Sequence, residues 1–166
     1  MNDAHLHMVI NHFPIIGLII GALILLAGII LRSAVTRKVA FTVLLFSCIF
    51  ALPAFGSGED AEEIVEHLPT MTEEGHHLIH EHEEKAEFFM IFAWSVIGLS
   101  IVSLFVEWKK KNLAIYTSLL TLVVALAGSY IAREVGTSGG EIAHPEIRKN
   151  FKASEHEEHH EEGEED

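Results

Sequence analysis

All twelve histidines of this 166-residue chain lie outside its four apolar runs. Imidazole is the commonest side-chain metal ligand and carries protons near neutral pH. Four of these histidines could be brought together. His82 falls on the stripe Ala93, Phe89, Ala86, His82, Ile79, Gly75, which steps back by three and four residues from the third apolar run. That stripe faces a bundle interior, so His82 is the strongest single ligand candidate. His12 stands at the edge of the first run, in the near-heptad series His5, Val9, His12, Ile16, Ile19, Leu23. His67 lies one helical turn after Glu63, with Glu66 beside it. His144 precedes Pro145, which predicts extended backbone, and Gly139-Gly140 predicts a fold back over the bundle mouth. His76 and His80 fall on the solvated side of the same helix as His82. His156, His159 and His160 belong to an acidic tail.

Two chemistries suit this set. Paired imidazoles on facing helices can hold b-type haem, with His12 opposite His82 and a second group between His67 and His144. Arg133 would then serve as the partner of a haem propionate, or else as an ion partner of Glu134. Alternatively, His12, His82, His144 and His67 with Glu63 and Glu66 form a mixed imidazole and carboxylate set suited to zinc, iron or copper. A third reading is a structural subunit of a larger membrane complex. Cys48 is the only cysteine and sits inside an apolar run, so Cys-based zinc and covalent c-type haem are excluded within one chain. No phosphate-binding loop and no Ser/His/Asp set competes. A net charge of -13 argues against nucleic acid.

The elements that position these residues are membrane helices. The runs Phe13–Leu31, Val39–Phe55, Phe88–Val106 and Leu113–Ile131 are each close to the ~20 residues that cross a hydrocarbon core. Runs of this length must be helical to satisfy their own backbone in lipid. The fold expected is an all-α integral membrane four-helix bundle, with helices two and three extended on the outer face. Residues 1–153 form that domain, with segment 56–87 outside the lipid, and residues 154–166 form a tail too acidic to bury a core. The first run reads as a retained helix rather than a cleaved signal, since no Lys or Arg precedes it.

Sidedness follows from charge. Loops 32–38 and 107–112 hold Arg32, Arg37, Lys38, Lys109, Lys110 and Lys111, six of the eleven basic residues, but only Glu107 of 24 acids. Positive short loops stay inside. Both termini then face outward, into a periplasm if the chain sits in a bacterial inner membrane. Pro53 predicts a break in helix two, followed by a Gly56-Ser57-Gly58 joint and a separate amphipathic helix over 59–68. Thr70-Met71-Thr72-Glu73 matches a capping box opening helix three. Asn112 reads as the N-cap of helix four, which is expected to end near Val135. Gly17-x-x-x-Gly21 offers a small-residue packing face.

Four segments together resemble an uncharacterised family of bacterial four-helix membrane proteins, a domain of unknown function. They are His5-Leu6-His7-Met8-Val9-Ile10-Asn11-His12-Phe13-Pro14, Ala61-Glu62-Glu63 through Glu66-His67-Leu68-Pro69, His82-Glu83-Glu84-Lys85-Ala86-Glu87 and Gly139-Gly140-Glu141-Ile142-Ala143-His144-Pro145-Glu146-Ile147-Arg148. The resemblance implies a four-helix membrane fold, with His12, Glu63, Glu66, His82 and His144 as positions of interest. It supplies no activity. The function expected from the residues is haem-based electron transfer between membrane quinol and outer-face partners such as small c-type cytochromes.

Overall fold

The computed structural model describes residues 3–66, 72–109 and 112–148. Five helices follow one another: α1 (Asp3–Ile10), α2 (His12–Ile30), α3 (Ala34–Glu66), α4 (Glu73–Lys109) and α5 (Ala114–Ala143), then a 3-10 turn over Pro145–Ile147. Helix α2 packs on α3 and α5, and α4 packs on the same two, which closes an up-and-down ring; α1 lies against α3. The fold is an all-α four-helix bundle. Four of its helical spans are long and apolar enough to cross a membrane, α1 and α2 together making the first. One end of the bundle carries the turns at residues 31–33 and 112–113. The other carries α1, the last turns of α3 and α5, and the first turns of α4, and it is called here the histidine end.

Lipid is as apolar as a protein core, so close approach through small residues marks the inside of such a bundle. Helix α2 buries Pro14, Leu18, Gly21, Ala22, Leu25 and Gly28. A Cβ on Gly17 would collide with the Ser47 side chain, and one on Gly28 would come 2.9 Å from the backbone nitrogen of Arg37. These glycines let α3 lie directly on α2. Phe41, Leu44 and Cys48 of α3, Ala93 and Val96 of α4 and Ala125 of α5 complete the buried interior. The outside is covered by Ile16, Leu23, Phe46, Ile91, Leu120 and Val123, all exposed. Trp108, Tyr116, Tyr130 and Phe88 are exposed near the span ends, where amphipathic rings suit a lipid–water boundary.

Several expectations are corrected. The series His5, Val9, His12, Ile16, Ile19, Leu23 is the outward face of α1 and α2, with every member exposed. Apolar spacing cannot tell a lipid-facing stripe from a core stripe, whereas small residues can. Helix α3 does not break at Pro53 but runs unbroken to Glu66, as proline is tolerated inside membrane helices. Helix α5 passes through Gly136, Gly139 and Gly140 to Ala143, so the turn comes at His144 rather than at the double glycine. Each glycine costs a helix roughly 1 kcal/mol. Two of them are offset by contacts that need the space: Gly139 faces the His82 ring and Gly136 faces Ile15.

At the start of α4, Thr72 caps the helix by accepting a 3.1 Å bond from the Gly75 N–H. Thr70 lies outside the described residues, as do His67, Pro69 and the tail. Leu113 rather than Asn112 occupies the N-cap position of α5. Arg37 and Glu107, read from sequence as loop charges, are buried instead. The Arg37 Nε–H donates to Glu107 Oε1 at 2.5 Å, joining α3 to α4 at the loop end.

Candidate functional site

The buried faces of the helices all end in polar side chains at the histidine end. On α2 the steps Leu25, Ala22, Leu18, Pro14 continue by three and four to Asn11 and His7. On α3 the face ends at Ala54 and Ser57, on α4 at His82, and on α5 at Ser138. Pro14 has no N–H to offer the Ile10 carbonyl, and the helix breaks at Asn11, dividing α1 from α2.

His7 and His82 face each other across this layer. Their ring centres are 6.3 Å apart and their planes nearly perpendicular, at 88°. His7 Nδ1 lies 2.9 Å from the Ala54 carbonyl oxygen. A carbonyl only accepts, so this Nδ1 carries the proton and Nε2 keeps its lone pair. His82 Nδ1 lies 2.9 Å from Ser138 Oγ. That serine also lies 3.0 Å from the Val135 carbonyl; when its O–H is given there, the serine oxygen accepts from His82 Nδ1–H. His82 precedes the apolar run, and its pKa is pushed below the usual 6.5, first by burial and then by the nearby His7 imidazole. It is therefore a neutral base at physiological pH.

Two glycines make room for the rings. A Cβ on Gly58 would come 3.1 Å from His7 Cε1, and one on Gly139 would come 3.1 Å from His82 Cε1. One turn along from His7, Asn11 Oδ1 is buried and accepts no hydrogen bond from the described residues. A buried acceptor left this way costs about 1–3 kcal/mol.

The other residues singled out from sequence lie elsewhere. His12 is exposed, and its Nδ1 lies 3.3 Å from the Met8 carbonyl of its own turn. His144 is exposed and pairs with Glu146 Oε1 at 3.0 Å. Arg133 is exposed and donates to Glu134 at 3.2 Å. Glu63 is exposed, while His67 and the side chain of Glu66 lie outside what is described. No ring contact or hydrogen bond joins His12 or His144 to His82. Among the described residues, no group of three or more His, Cys, Asp or Glu side chains is arranged to hold a metal ion. His7 was missed from sequence. The signal that finds it is the small-residue face of α2, counted back through Pro14.

The chain matches no family model, no curated protein and no solved structure. Its site must be read from its own chemistry. A ligating histidine usually donates its second ring nitrogen to a carbonyl or hydroxyl, which fixes the tautomer and orients the ring. Both His7 and His82 do this. Two nitrogens each ~2.0–2.1 Å from one metal atom, with the rings reaching outward beyond them, place imidazole centres about 6 Å apart. The 6.3 Å separation of the His7 and His82 ring centres is of that order.

Proposed function

We propose that the protein is a membrane electron-transfer protein that holds b-type haem between His7 and His82 at the outward end of the bundle. The observation that carries this reading is the close imidazole pair, ring centres 6.3 Å apart, with each Nδ1 held by an oxygen of a neighbouring helix. The number of donors favours haem over a bare ion. Porphyrin supplies four nitrogens of its own, so two protein ligands suffice, whereas zinc takes three or four from the protein. The mixed His and carboxylate site is therefore the weaker alternative.

Bound between these side chains, haem supplies a one-electron couple. The chain's own residues hold the rings in place: Ala54 and Ser138 orient them, and Gly58 and Gly139 leave space beside them. Three of the segments that carry the family resemblance contain His7, His82 and Gly139. Exposed Glu59, Asp60, Glu73, Glu74, Glu84 and Glu87 surround this end. Their field steers cationic partners such as small c-type cytochromes, while membrane quinol supplies electrons from the lipid side. The positive loops Arg32–Lys38 and Glu107–Asn112 favour an inner-membrane orientation with both termini outside.

The test is a visible spectrum of protein purified in mild detergent, before and after reduction. A split band is expected in the wild type. It should be lost or displaced in His7→Ala and His82→Ala but kept in His12→Ala and His144→Ala. A colourless protein carrying stoichiometric zinc would overturn the reading, as would a spectrum indifferent to both His7 and His82.

A further inference from the structure

We infer that the lipid-facing side of α3 binds an anionic phospholipid at the loop end of the bundle, with the phosphate on Lys38 and an acyl chain in the groove that follows. The site lies at the opposite end from the imidazole pair and owes nothing to the redox reading. A groove of about 310 Å³ is lined by Val35, Lys38, Val39, Thr42 and Val43. All five belong to α3, so the groove opens sideways onto lipid rather than between helices. Phe46, exposed one turn further on, continues the same face deeper into the span.

Charge selects the head. Lys38 is exposed and stands immediately before the apolar run Val39–Phe55, where a lysine lays its stem on apolar surface and its ammonium at the phosphate level. Among the described residues it forms no ion pair. Glu107, the only acid of loops 32–38 and 107–112, is already held by Arg37. Arg32, Lys38 and Lys109 therefore give this end a positive charge that no carboxylate of the two loops balances. Shape selects the tail. Val35, Val39 and Val43 make the wall apolar, and its one hydroxyl, Thr42 Oγ1, donates to the Lys38 carbonyl at 3.0 Å and asks nothing of a ligand. A cation at the mouth and an apolar wall beyond it match an amphiphile with a negative head. A soluble anion would use only the first, and a zwitterionic lipid gains little from it. On the orientation proposed above, this is the anionic cytoplasmic leaflet.

The test is native mass spectrometry of the full chain released from mild detergent, titrated with dioleoyl-phosphatidylglycerol or dioleoyl-phosphatidylcholine. The wild type is expected to hold phosphatidylglycerol about five-fold more tightly, the factor that one cation near a lipid surface contributes. Lys38→Gln should remove this preference and Lys38→Arg should keep it. Val39→Trp fills the groove, keeps the charge and should weaken phosphatidylglycerol. Lys109→Gln, at the same end but outside the groove, should change nothing. Glycerophosphoglycerol, the same headgroup without chains, should not compete. Equal binding of the two lipids by the wild type overturns the inference, as does wild-type behaviour in Lys38→Gln. An equal loss in Lys109→Gln also overturns it, by showing diffuse attraction to charge in place of a site. A bare headgroup that competes as well as the lipid removes the groove and the inference with it. Should Lys38→Gln lose helix content by circular dichroism, Val39→Trp and the headgroup competition decide.

Discussion

At the residue scale, the two imidazoles at the histidine end are defined by what their Nδ1 atoms do. Each gives a proton to an oxygen on a neighbouring helix, so each ring is pinned before any cofactor arrives. The pinning has a pH signature in the cofactor-free protein. Burial and the adjacent His7 lower the His82 pKa from 6.5, so the unfolded chain takes up the proton first as pH falls. Stability is then complete above about pH 6.5 and declines through the interval below it, down to the folded-state value. Thermal unfolding followed by circular dichroism between about pH 8 and pH 5 should show this decline, with a smaller slope in His82→Gln. Equal slopes in the two proteins would contradict it. Of the site residues, His82 was legible in sequence because its stripe includes Phe89 and Ala93, a core pattern. His7 was not, because the more hydrophobic series through His12 drew the face to the wrong side of the helix.

At the element scale, helices α3 and α5 run longer than their proline and glycines suggest. Helix α3 continues past Pro53, and one residue on the Ala54 carbonyl accepts from His7 of α1 as well as from the Ser57 hydroxyl at 3.1 Å. Glycine in α5 is tolerated because the His82 ring occupies the space a side chain would need. These are tertiary contacts, and local propensity cannot register them. The Arg37–Glu107 pair is a third case, since both residues read as ordinary loop charges until the helices are assembled. Its burial makes a sharp prediction. Arg37→Met or Glu107→Leu alone should destabilise by about 3–5 kcal/mol, because each leaves a buried group without its partner. The double variant Arg37→Met/Glu107→Leu should recover most of that loss. Reversible unfolding in mixed detergent and denaturing surfactant measures all three, and additive losses would show that the two side chains do not act as a pair.

At the scale of the whole molecule, the bundle is asymmetric: cationic loops at one end, acids and imidazoles at the other. The positive loops predict the orientation, and single cysteines in a Cys48→Ser background report it. A membrane-impermeant maleimide added to intact cells should label Glu59→Cys and spare Ser33→Cys, and the reverse pattern would invert the molecule. Chain chemistry alone settled the number of spans and the charge difference between ends. Those properties depend on local composition and on the hydrocarbon thickness. Which side of each helix turns inward was decided only in the assembled bundle. Lipid and core are equally apolar, so burial there follows close packing around Gly21, Gly28 and Gly139, and that packing brings His7 to His82.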